Sequence, residues 1–79
     1  MKLDGFNKHY TYEKTGIMWA DIKSVDGRFD NVNCVYYYPN ETENKRFELV
    51  ENNRHFGYAH MENGLLYDNS NRGVWKVIF

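Results

Sequence analysis

The side chains of this chain best suited to moving a proton near neutral pH are His9, His55 and His60, with Glu13, Glu48 and Glu62 among the carboxylates. A general base needs a partner within hydrogen-bond reach and a suitably placed pKa. Side chains alternate across a strand, so His55 and His60, five residues apart, are expected on opposite faces. His60 and Glu62 share a parity and can meet beside the Asn63-Gly64 turn. With Arg54 or Arg72 on a phosphate, such a His/Glu/Arg set would suit a small ribonuclease-like enzyme. No spacing here is diagnostic of that chemistry, and the expectation is a protein that is not an enzyme. Loss of RNA cleavage in His60→Ala would be the mark of the enzyme reading.

Cys34 is the only cysteine, so no intramolecular disulfide can form, and no CxxC or Cys/His spacing suggests zinc. Mid-strand between Asn33 and Val35, a small thiol packs like an apolar residue, and a reactive one needs a cation or helix N-terminus nearby. Cys34 is therefore read as core. Nothing in the sequence fixes three imidazoles together, and no metal or cofactor is expected. The single glycines of "DGFNK" and "VDGRF" are explained by turns, without a phosphate loop.

The aromatic surplus carries the binding argument. Seven Tyr, five Phe and two Trp make 18% of the chain, more than a small core absorbs, and clustered exposed rings mark interaction sites. Tyrosines also suit strands for packing reasons alone. In "NCVYYYPNE" (33–41), alternation puts Val32, Cys34, Tyr36 and Tyr38 on the face that wants burial. Asn33, Val35 and Tyr37 take the other, and Pro39 ends the strand. Tyr37 and Val35, with Lys45, Arg46, Arg54, Tyr10 and Tyr12, form the candidate binding set.

A near-neutral formal charge of −1 gives no basic footprint for duplex nucleic acid. Single-stranded RNA or DNA could stack bases on the rings and follow Lys8, Lys14, Arg28, Lys45, Arg46, Arg54 and Arg72, but eleven acidic residues are interspersed. A protein partner, another copy of the chain included, needs no positive field. The leading expectation is thus a small, non-enzymatic binding protein acting on a protein partner, with the single-stranded nucleic-acid module as the alternative. Residues with AT-rich codons (Phe, Tyr, Met, Ile, Asn, Lys) far outnumber those with GC-rich codons. That balance suits a phage or mobile-element accessory protein that inhibits or modulates a host factor. No signal-peptide run opens the chain and no stretch approaches the ~18 apolar residues of a membrane span, so the expectation is cytoplasmic, without a membrane.

These side chains must be held by a single domain spanning 1–79, because so short a chain has no room for a second core. Turn signals recur every eight to twelve residues, at "KTG", "VDGR", "PNETEN", "ENN", "ENG" and "DNSNRG", the spacing of an all-β domain. Asp26-Gly27 and Asn63-Gly64 suit type I′ turns. Strand-like runs lie at 6–12, 17–23, 31–38, 55–61 and 73–79. The stretch 40–53 reads either as a helix capped by Asn40 with Glu43 in a capping box or as a strand with Phe47 and Leu49 on one face. The strand is preferred, because only two or three apolar residues support a helical stripe. The predicted architecture is mostly β: an antiparallel meander or barrel of five to seven strands, with one short helix near 40–52 (an α+β fold) as the alternative.

Overall fold

In the computed structural model, which describes residues 5–8 and 16–78, the runs between turn signals form seven strands. They are β1 (Asn7–Lys8), β2 (Met18–Ser24), β3 (Val32–Tyr37), β4 (Phe47–Glu51), β5 (Arg54–Glu62), β6 (Leu65–Asp68) and β7 (Val74–Val77). Of the predicted 6–12 run, only Phe6 and β1 lie among the described residues, and Tyr10 and Tyr12 of the candidate set fall outside them. β6 carries four residues between two loops, too short a run to stand out from the sequence. The segment 40–52 holds β4 and a single 3-10 turn, Glu43–Lys45, whose N-cap residue Thr42 makes no side-chain capping bond. The α+β alternative is therefore overturned: Phe47 and Leu49 do share a buried face, as the strand reading required.

Each strand pairs antiparallel with the next in chain order, and β2 also pairs with β7 through Ile22–Val77, Lys23–Lys76 and Ser24–Trp75. Strands β2 to β7 thus form a closed six-stranded barrel. β2 gives one edge to β3 over Met18–Asp21 and divides the other between β1 and β7. Closure leaves these six strands no continuous free edge. Two connections are two-residue hairpins with both central residues at positive φ, Asn52 (47°) with Asn53 (67°) and Asn63 (53°) with Gly64 (81°), the type I′ geometry. The 25–31 connection is different. Only Gly27 is left-handed there (78°), so Asp26-Gly27 is no type I′ turn. Asp26 Oδ1 instead accepts from the Ser24 hydroxyl (3.1 Å) and the Arg28 amide (3.0 Å), and the Arg28 amide holds that carboxyl below its ordinary pKa.

The interior is built from Ala20, Ile22, Val32, Val35, Phe47, Leu49, Ala59, Leu66 and Trp75. At one end Phe29, Phe56 and Trp75 stack with centroids 5.5–6.1 Å apart, and at the other Phe47 meets Phe6 and Tyr37 at 6.1 and 5.1 Å. Asp68 is buried and held by the Ser70 amide and by Arg72, whose guanidinium lies 4.0 Å over the Phe56 ring. A Cβ at Gly57 would collide with that guanidinium.

Two irregularities decide which side chains enter this core. On β3 the register slips between Val32 and Cys34, leaving Asn33 as an extra residue. On β5, Val50 pairs with His55 while Leu49 pairs with Gly57, leaving Phe56 extra. Each bulge switches the parity of the strand beyond it. Val32, Val35 and Tyr37 therefore face inward, and Cys34, Tyr36 and Tyr38 face outward, which corrects the face assignment made from strict alternation. Val35, proposed as a contact, is fully buried in the core.

The two readings of β3 make opposite predictions. Val35→Thr places a hydroxyl in the core and should lower unfolding free energy by about 1–3 kcal/mol, whereas Cys34→Thr on the outer face should change it by less than about 0.5 kcal/mol. Urea denaturation measures both, and the reverse ranking would reject the bulge.

Candidate functional site

Once the bulges are placed, a row of outward side chains runs across four strands. Trp19 of β2 stands opposite Tyr36 of β3, Tyr36 opposite Glu48 of β4, and Glu48 opposite Tyr58 of β5. Paired positions on one face lie close enough for their side chains to interact. Tyr38, two residues beyond Tyr36, joins the row with ring centroids 6.3 Å apart. His55 is brought to the same face by the β5 bulge, against Tyr58 at 5.0 Å. The sequence expectation that His55 and His60 lie on opposite sides fails for the same reason: both stand outward.

Glu48 is the centre of this face. Its Oε1 accepts the Tyr38 hydroxyl at 2.8 Å, and its Oε2 lies 2.6 Å from His55 Nδ1. Both contacts bridge strands, β3 to β4 and β4 to β5. Burial and the carboxylate it donates to push the Tyr38 phenol well above its ordinary pKa, so Tyr38 remains a donor throughout the neutral range. Tyr36 is raised too, chiefly by burial, with the charges of Cys34 and Glu48 adding to it. Cys34 is half-buried beside Asp21, and burial with that negative neighbour raises its thiol pKa. It is not a core residue, but its thiol is held protonated, the opposite of what a nucleophile needs.

Between Tyr38, Tyr58, Glu48, Glu41 and Lys45 lies a cleft of about 210 Å³. A second cleft of about 160 Å³ lies between Tyr37, Phe47, Met61, Glu43, Arg46 and His60. His60 stacks on Tyr67 at 5.7 Å and meets Asn69 Oδ1 through Nδ1 at 2.8 Å. Its Nε2 lies 3.7 Å from Glu62, as parity predicted, with both side chains largely exposed. The better-formed imidazole–carboxylate contact is His55–Glu48, which the sequence analysis did not pair.

The candidate binding residues are thus divided. Tyr37 packs inward on Phe47 and shows only its edge, next to Arg46 in the smaller cleft. Lys45 lines the larger one. Arg54 is exposed at the start of β5, where it pairs with Glu51 at the opposite end of β4 from Phe47. Trp19, Tyr36, Tyr38, Glu48 and Tyr58 were missed as a set, because only the register joins them. Among the described residues no group of three His, Cys, Asp or Glu side chains is placed to hold a metal, and no helix is long and apolar enough to cross a membrane. No family model, curated protein or solved structure matches the chain.

The Tyr38–Glu48 contact has a signature in alkali. The folded chain holds the Tyr38 proton more tightly than the unfolded chain, so this contribution to stability is intact below about pH 10, the ordinary tyrosine value. It is lost as pH rises through the higher folded pKa. Unfolding free energy, measured by urea at a series of pH values, should fall more steeply above pH 10 in the wild type than in Tyr38→Phe. Equal slopes would remove Tyr38 as the proton holder.

Proposed function

We propose that this chain is a non-enzymatic binding protein that takes a protein partner on the outer face of β2, β3, β4 and β5. The observation that carries this reading is the row Trp19–Tyr36–Glu48–Tyr58, which sets large rings of β2, β3 and β5 outward around a carboxylate of β4 in a closed barrel. Half-buried tyrosine and tryptophan rings offer large contact area at low entropy cost, which is why they dominate interface hot spots. Closure of β2 to β7 directs the partner to the sheet's face, since strand addition needs a free edge.

The same rings would stack bases, and Lys45 and Arg46 stand near them. Charge favours the protein partner. Glu48 occupies the centre of the row and Glu41 the neighbouring rim, where a phosphate backbone would pass. Two carboxylates there oppose a polyanion and leave a protein surface as the better fit.

The test compares variants that keep strand-forming residues on an exterior face. Wild type should retain a specific protein from lysate of the source organism, identified by mass spectrometry, and Tyr58→Thr or Trp19→Thr should lose it. Retention of the same protein by both variants would reject the face. Amide shifts on titration with short oligothymidine or oligouridine at low salt, strongest at Tyr36 and Tyr58, would transfer the function to single-stranded nucleic acid.

A further inference from the structure

The cleft between Tyr38 and Tyr58 narrows the chemistry of that partner. It is lined by the carboxylates of half-buried Glu48 and exposed Glu41 and by Tyr38 and Tyr58. Glu48 side chain is 20% exposed, so its charge is only partly screened by water. A carboxylate offers about four acceptor positions, of which Tyr38 and His55 occupy one on each oxygen. Capacity for a further pair of donors remains.

Lys45, the one Lys or Arg lining the cleft among the described residues, does not pair with its carboxylates. Among the described residues, Lys45 makes no ion pair with Glu41 or Glu48 within 4.0 Å. Its charge stands against two carboxylates, so the lining is net negative while the His55 imidazole bonded to Glu48 is neutral. The ring faces are themselves electron-rich and attract cations. A planar guanidinium satisfies both features at once, stacking along phenol faces while donating two parallel hydrogen bonds to a carboxylate. An ammonium can do only the second, as a point charge.

We propose that this cleft receives an arginine side chain of the protein partner, with Glu48 as the carboxylate that pairs it and Tyr38 and Tyr58 as the rings that flank it. The inference rests on the binding reading above and assigns that face its central contact. Tyr38 and His55 hold Glu48 in place by their two hydrogen bonds, so the acceptor is preorganised and little ordering entropy is lost on binding.

The probe is the tripeptide acetyl-Gly-Arg-Gly-amide, titrated into the isotopically labelled full chain by NMR, with acetyl-Gly-citrulline-Gly-amide as the uncharged control. A single arginine in an open cleft should bind with a Kd on the order of 1–10 mM. It should give saturable shifts centred on Tyr38, Glu48 and Tyr58, and the citrulline peptide should give none. Glu41→Gln, on an exposed loop where folding is not at risk, should weaken binding about two- to threefold. Glu48→Gln should weaken it about tenfold, and Lys45→Met should tighten it about twofold. Absence of saturable shifts, or equal shifts from the two peptides, would overturn the proposal.

Partner capture keeps this outcome separate from the fate of the face. Loss of the partner in Tyr58→Thr together with no arginine response would remove the cleft and leave the face standing. An arginine response with full partner retention in Tyr58→Thr would do the reverse.

Discussion

Pairing of β2 with β7 closes the sheet on itself, and the narrowness of the resulting barrel governs where everything else can go. Six strands enclose little more than one column of side chains. Trp75, Leu49, Leu66, Val32 and Val35 are its largest fully buried apolar side chains, with relative exposure below 2%, and Ala20, Ile22, Phe47 and Ala59 complete it. The chain has fourteen Phe, Tyr and Trp residues, far more than that column accepts. Closure therefore sorts the rings. Some cluster as stoppers at the barrel ends, around Phe29 and Trp75 and around Phe47. Others are turned outward on β2, β3 and β5. The outer aromatic face is a direct consequence of a ring-rich sequence in a narrow barrel.

A narrow barrel must also be curved tightly, and the two bulges supply that curvature. They flank β4 on either side of the Leu49–Glu51 stretch, one on β3 and one on β5, so two neighbouring strands bend at the same level. Extra residues there increase local twist and coiling. The extra residue on β5, Phe56, contributes its ring to the stopper at that end and its carbonyl to Arg72 at 3.2 Å. Arg72 then completes the hydrogen bonds of buried Asp68. A buried carboxylate without such donors would be strongly unfavourable. The bulge, the ring stack and the ion pair therefore form one closure at that end of the barrel.

These two bulges also mark the limit of what could be read from the sequence. Strand positions were legible because turn residues with a preference for positive φ, the Asn52-Asn53 and Asn63-Gly64 pairs, bracket runs rich in β-formers. So was the inward face of β4, where Phe47, Glu48 and Leu49 alternate without interruption, and so was the His60–Glu62 contact, which lies beyond the β5 bulge. The faces of β3 were not legible, because Asn33 as an extra residue leaves no compositional trace. "VNCVYYY" satisfies alternation equally well with Cys34 inside or outside. Asp26-Gly27 misled for a related reason: a pair suited to a tight turn sits in a seven-residue connection whose shape is set by the Asp26 side chain. The outer row itself depends on three registers at once, and local sequence contains none of them.

Glu48 brings the structural and functional arguments to one residue. A carboxylate is a poor choice for the middle of a short strand between Phe47 and Leu49, where β-branched or aromatic residues pack better. What Glu48 gains there is two hydrogen bonds across strands, to Tyr38 on β3 and His55 on β5. Those bonds cannot be the whole reason for it, because Thr–Thr or ring pairs would link exposed strands comparably well. They do fix the carboxylate between rings, half-shielded from water and with acceptor capacity unused. A carboxylate kept in that state is a fixed acceptor, which is the feature that the proposed docking of an arginine uses. Glu48 thus bonds to a side chain on either flank of β4 and lines the cleft where the proposed arginine would meet it.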